Sequence, residues 1–334
     1  MNHRIVDRYR AELGRPVNRL GFLRHRTAEQ MVEEIRFVLE RYEGIETFIL
    51  DDDLFTMNFE HAKRFARAYR EAGFDVPWVV NSHVKRLEPE LARELADGGC
   101  RILKLGIESG SERIRTEVLE RHMSNDDIRA TVRTAEEHGL HTSGFVMVGL
   151  PGETVDELFE TVELLATSDL GRFRTSLFYP FPGTRSHRLS IEGGYVDPER
   201  AGSLTDFTET SCLDFGPRQN LLVEKLARTM PWFVNARREE VSGADRYRPL
   251  VRRVLDMDRA SWDTFSGEVR DLDRELSEEA TRAGEVHYAI RYNAFMGVRS
   301  DYFLAEEAGG EWSTAAAKPV PDALRRVPGP TGAC

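Results

Sequence analysis

The sequence predicts an α/β protein: a parallel sheet covered by helices, followed by a mainly helical C-terminal region. Three observations lead there. Short apolar runs alternate with helical periodicity every 25 to 40 residues from about residue 27 to residue 180. Capping signals punctuate that alternation, and its polar or glycine-rich clusters fall just after the apolar runs.

The elements follow in order. Thr27 and Gln30 have the spacing of a capping box, and Met31, Ile35, Val38, Leu39 and Tyr42 recur on one helical face until Gly44. A strand is expected over 45–50, ending in Asp51-Asp52-Asp53. A helix over 60–72 closes at Gly73, and a strand over 76–80 leads into Asn81-Ser82-His83. Pro89 suits a first helical turn, and that helix stops at Gly98-Gly99. A strand over 101–107 follows, then a capping box at Ser124 and Asp127 that opens a helix to Gly139. A strand over 142–148, a helix capped by Thr154 with Glu157, and a strand over 175–179 complete the series. The helix after Thr27 has no strand before it. As a crossover it requires one, and without it the strand over 45–50 is an apolar edge. The pattern therefore predicts a first βα unit that is incomplete.

Beyond Gly183 the alternation stops. Residues 221–238 and 262–283 read as helices, 285–303 as mixed, and from Gly309 onward Gly, Ala and Pro dominate, as in a mobile tail. The expected division is 1–190 for the core, 191–308 for the helical region and 309–334 for the tail.

Composition narrows the function. With 40% hydrophobic and 31% charged residues the chain is an ordinary globular protein, and no run is long enough to cross a bilayer. A cytoplasmic location is expected. A net charge of −11 disfavours nucleic acid and anionic membrane as partners and leaves a small-molecule substrate. Cys100, Cys212 and Cys334 lie too far apart to form a disulfide framework or a metal cluster by spacing. His3, His25 and His83 show no ligand spacing, so no metal role is assigned. Arg8, Arg10, Arg15, Arg19, Arg24 and Arg26 read as a solvated loop.

Ligands of parallel α/β folds gather at the carboxyl ends of the strands. Five polar or glycine-rich clusters fall there: Asp51 to Asp53, Asn81 to His83, Glu108-Ser109-Gly110, Gly149 to Glu153, and Tyr179-Pro180. Each has a plain structural reading too. Asp51 and Asp52 suit a turn, Ser109 and Ser111 a helix cap, Glu153 a helix start, and Tyr179 simple packing.

The loops GIESGS (106–111) and GFVMVGLPGET (144–154), each behind a strand, resemble radical S-adenosylmethionine (SAM) enzymes, most closely the branch that also binds cobalamin. The resemblance covers residues 27–185 with its motifs in order. It implies a partial (βα)6-type TIM barrel missing its first strand. That strand would carry a three-cysteine motif for a [4Fe–4S] cluster. Met1-Asn2-His3 resembles the residues that follow the last such cysteine, so the expectation is that upstream sequence restores the triad, in which case Met1 is an internal codon; a stop codon there would favour a non-enzymatic module. The resemblance further assigns Asp51 and Asp52 to the SAM amino group, and Glu108, with Ser109 beside it, to the ribose or the ammonium. It sets Gly149, Pro151 and Gly152 beside the adenine and sugar, and Tyr179 near the adenine.

The implied activity is methyl transfer by a SAM-derived radical and methylcobalamin to a small-molecule intermediate of antibiotic or other secondary metabolism. The cluster- and cobalamin-binding residues are expected to lie outside this chain. The alternatives are another radical SAM reaction, such as rearrangement or thiomethylation, and a cluster-free binding or scaffold module on the same fold.

Overall fold

A computed structural model describes residues 2–14, 26–196, 211–238 and 243–302, with side chains from Arg8 onward. Helix α1 (Asn2–Leu13) corrects the expected loop, because Arg8 and Arg10 lie on it and Arg8 pairs with Glu12 one turn on at 2.8 Å. Arg15, Arg19, Arg24, His25, Cys334 and the tail expected over 309–334 lie outside the described residues.

The core runs α2 (Ala28–Arg41), β1 (Phe48–Leu50), α3 (Phe59–Glu71), β2 (Trp78–Ser82), α4 (Pro89–Asp97), β3 (Cys100–Glu108), α5 (Asn125–Glu137), β4 (His141–Val148), α6 (Val155–Thr167) and β5 (Arg172–Leu177). The boxes expected at Thr27, Ser124 and Thr154 all form, each with its side chain accepting from the third helical N–H. The five strands are parallel and paired in sequence order, as the alternation requires.

Next come α7 (Arg185–Glu192), α8 (Pro217–Arg237), α9 (Ala244–Asp256), α10 (Arg259–Phe265), α11 (Val269–Arg282), β6 (Tyr288–Ile290) and β7 (Met296–Arg299). The region is mainly helical, and the mixed segment resolves into two short strands. Strand β7 pairs antiparallel with β5 and with β6, giving a seven-stranded sheet in the order β1-β2-β3-β4-β5-β7-β6.

Burial alternates along the central strands. Leu103, Leu105 and Ile107 of β3 are fully buried in the main core with Val146 and Val148 of β4, under the helices. The intervening Lys104, Gly106 and Glu108 are half-buried on the opposite, open face, with Phe145, Met147, Arg172, Arg174 and Ser176 in matching register positions. At the start of β2 the core is aromatic: Trp78 packs edge-on against Phe55 and Phe65 and donates its Nε1–H to Gly98 O at 2.8 Å. Among the described residues strand β1 has a strand neighbour on one side only, and its Ile49 is 60% exposed.

Candidate functional site

Glu108 ends β3 with a φ of +70°, behind a register shift between Gly106 and Glu108. This left-handed kink turns the carboxylate back along its own strand. A Cβ on Gly106 would sit 2.6 Å from Glu108 Oε1 and 2.9 Å from Arg121 Nη1, so the missing side chain leaves the space in which the two meet. Arg121 Nη2 lies 3.1 Å from Glu108 Oε1, and Nη1 donates to Gly106 O at 3.1 Å. The Glu108 side chain is 16% exposed. Burial raises its pKa and Arg121 pulls the other way.

The rest of GIESGS faces protein. Ser109 is 0% exposed; its hydroxyl accepts the Ser111 N–H at 3.2 Å and lies 3.4 Å from Thr161 Oγ1. Gly110 donates its N–H to Thr161 Oγ1 at 2.7 Å, and a Cβ there would meet Glu160 O at 2.2 Å. Gly106 and Gly110 thus make room for the Glu108–Arg121 pair and for α6.

A π-helical turn over Ile114–Val118 follows, and the buried Arg115 within it donates to Ser109 O, to Met123 O and, at 2.6 Å, to Asn125 Oδ1. This guanidinium clamps the loop after β3 to the segment that carries Arg121. Arg113 grips Glu157 with two donors at 2.7 and 2.8 Å and reaches Gly152 O at 2.9 Å. Glu157 also accepts from the Ser111 and Thr154 hydroxyls and the Thr154 N–H. Burial alone would raise its pKa, but these donors outweigh it and hold the carboxyl at about 2. The capping box of α6 therefore knits the two motif loops together.

Gly149 and Gly152 have φ values of +78° and +74° and flank the buried Pro151. Glu153, 3% exposed, closes the loop by accepting from Gly149 N at 2.7 Å and Leu150 N at 3.1 Å. Burial pushes this carboxyl up to about 8. The Cβ direction of Gly149 points at Val223 of α8, 3.2 Å away. Leu150 joins Ile114, Val118 and Phe178 in a second apolar cluster, against which the half-buried Tyr179 packs. The Tyr179 and Phe181 rings are 5.0 Å apart.

At the other end of the rim Asp51, Asp52 and Asp53 are exposed. Asp52 makes a turn, accepting from Leu54 N at 3.0 Å, while its carbonyl accepts from Asn81 Nδ2 at 2.8 Å. Asp51 acts electrostatically on Lys104 of the open face. Burial, then Arg121, Arg86 and Lys85, lower the pKa of His83. Its Nδ1 accepts from Lys85 N at 3.1 Å, which leaves the proton of the neutral ring on Nε2.

Of the residues singled out from the sequence, the structure brings Glu108 to the open face that Asp51 also influences, and links its loop to Gly149–Gly152. Tyr179 joins through the apolar cluster, whereas Ser109 turns inward. Arg113, Arg115 and Arg121 escaped sequence reasoning. The available signal was three arginines crowded round the buried Ile114 and Val118, between a strand and a helix cap.

Cys100 is buried, its thiol pushed up to about 12 by burial, and Cys212 is buried in the second apolar cluster. No group of three His, Cys, Asp or Glu among the described residues is placed to hold a metal ion. These residues do not fit a [4Fe–4S] cluster. Among the described residues no helix is long and apolar enough to cross a membrane.

Residues 7–165 match the radical SAM superfamily. An uncharacterized methyltransferase of Pyrococcus horikoshii is 30% identical over 168 residues, 50% of this chain and 36% of that protein. The cytidylyl-2-hydroxyethylphosphonate methyltransferase of Streptomyces wedmorensis is 28% identical over 190 residues, 54% of this chain and 34% of that protein. A tRNA-2-methylthio-N(6)-dimethylallyladenosine synthase of Hydrogenovibrio crunogenus is 30% identical over 145 residues, 41% of this chain and 30% of that protein. The chain thus spans about a third of the length of these relatives. The paired loops at the strand ends and the match over 7–165 lead to one conclusion: that stretch of this chain is similar to the radical SAM superfamily.

Proposed function

We propose that the open face and rim of this sheet bind SAM within a methyltransferase that acts on a small molecule of secondary metabolism. The observation that carries the reading is the Glu108–Arg121 pair, folded over Gly106 between two interlocked loops. A carboxylate and a guanidinium side by side complement the ammonium and carboxylate of an amino-acid ligand. The neutral His83 offers an N–H to a hydroxyl or carbonyl, and the half-buried Tyr179 ring is suited to an adenine. Asp51 lies on the same side and can share the ammonium. When bound, SAM supplies the radical precursor; the residues here orient it and shield it from water. Methylcobalamin as methyl carrier follows from the motif resemblance, and no described residue is assigned to it. The cluster ligands must come from other residues, so no step is routed through a cluster here.

The relatives named as methyltransferases support methyl transfer. The acidic net charge of −11 supports a small molecule over tRNA. The test is anaerobic turnover with reductant, SAM and methylcobalamin, using the chain together with any coding sequence found upstream in frame. Formation of 5′-deoxyadenosine is expected, and its absence where a related enzyme produces it would remove the radical mechanism.

A further inference from the structure

The open face holds positive charge that the SAM reading leaves unused. Lys104 on β3 and Arg172 and Arg174 on β5 all lie there, farther along their strands from the rim than Glu108. Register sets Asn81, Lys104, Ser143 and Arg172 in one row across four strands, and Gly106, Phe145 and Arg174 in the next row toward the rim. Strands about 4.8 Å apart and alternate residues about 6.6 Å apart put the three cationic residues within roughly 12 Å of one another at their Cα atoms. Lysine and arginine side chains are long enough to converge above Ser143 and Phe145.

These charges are costly where they stand. Lys104 is half-buried, and burial depresses its pKa; Asp51 opposes that and Arg172 adds to it. Among the described residues neither Lys104 nor Arg174 has a carboxylate within ion-pair distance, and the buried Nε of Arg174 has no hydrogen-bond partner. Glu108, the nearest acid along β3, is held by Arg121. In a chain of net charge −11, a cationic patch on the ligand-facing side of the sheet is a local reversal of sign.

We propose that Lys104, Arg172 and Arg174 form a subsite for a phosphoryl or phosphonyl group of the substrate. A tetrahedral dianion offsets most of the charge of three cations and presents enough oxygens to meet donors from two strands at once. A single carboxylate would leave the patch strongly positive. The inference rests on the methyl-transfer reading only in naming the ligand a substrate.

Calorimetric titration at fixed ionic strength tests it with pyrophosphate as the probe and succinate as the carboxylate control. Pyrophosphate should bind saturably to the chain, and Arg174→Gln or Lys104→Gln should each weaken it at least tenfold. Arg174→Lys should recover part of the loss, while Arg252→Gln on the exposed side of α9 should change nothing. Absence of pyrophosphate binding, undiminished binding by either glutamine variant, or succinate binding as tightly as pyrophosphate would overturn the proposal. Circular dichroism checks each fold, and if Arg174→Gln fails to fold, Lys104→Gln decides. SAM affinity is titrated separately, so a failed SAM site and a failed anion subsite give different results.

Discussion

Two glycines, each two positions from the kink at Glu108, illustrate opposite uses of a missing side chain. At Gly106 the atoms in the way are the ends of two mobile side chains, Glu108 and Arg121. At Gly110 they are backbone atoms of Glu160 and Thr161, at 2.2 and 2.4 Å. Gly106→Ala should therefore displace the ion pair and weaken SAM binding while costing less than about 1 kcal/mol of stability. Gly110→Ala should push α6 away and cost about 3 kcal/mol or more, because a packed helix backbone cannot step aside. Urea unfolding of the two variants compares them directly, and equal losses would contradict this division of roles. The sequence made Glu108 and the glycine loop legible, because a strand followed by such a loop is a strong local pattern. It did not reveal Arg121, whose position depends on a π-helical turn that no hydrophobic period announces.

Among the elements, that turn is where a buried charge takes the place of apolar packing. Arg115 is 0% exposed and satisfies carbonyls of Ser109 and Met123 together with Asn125. Replacing it by Met keeps the volume and strands those acceptors, so Arg115→Met should lose about 3 kcal/mol in the same denaturation experiment. A loss below about 1 kcal/mol would mean the clamp is incidental. Strand limits show what periodicity misses. The strand expected over 45–50 shortens to Phe48–Leu50, since an edge strand is defined only where β2 runs beside it. The helix expected over 262–283 divides into α10 and α11, with Gly267 between them. In both cases the apolar pattern was right and the boundary depended on a neighbour. Strands β6 and β7, three and four residues long, are too short to produce a pattern at all.

Across the whole molecule, burial of acids sets the response to pH. Burial raises Glu136 to about 7, Asp273 to about 7 and Glu153 to about 8. Each binds its proton more tightly folded than unfolded, so its contribution is complete below about pH 4.5 and is lost as pH rises through 7 to 8. His141 works in reverse: burial first, then Arg172, Arg299 and Arg101, lower it to about 4, so its cost disappears as pH rises toward 6.5. Above about pH 7 the buried acids dominate, and the thermal midpoint should fall between pH 7 and 8.5. Asp273→Asn keeps polar atoms near Trp232 Nε1 and Ile290 N, its present partners at 2.7 Å, and should flatten that decline even if the variant is less stable throughout. A midpoint that rises over this range would contradict the burial of these groups.

The parallel order of the first five strands follows from the alternation of the sequence, and so does the gathering of motifs at one rim. Recognition of SAM by that rim is tested most directly by isothermal titration of the chain with SAM, alongside Glu108→Gln and Ser109→Ala. The expected result is saturable binding that Glu108→Gln weakens by about 1–3 kcal/mol, the scale of a lost charge-assisted hydrogen bond, and that Ser109→Ala leaves unchanged once its fold is verified. No saturable binding, or equal affinity in the Glu108→Gln variant, would contradict the assignment of this rim to SAM.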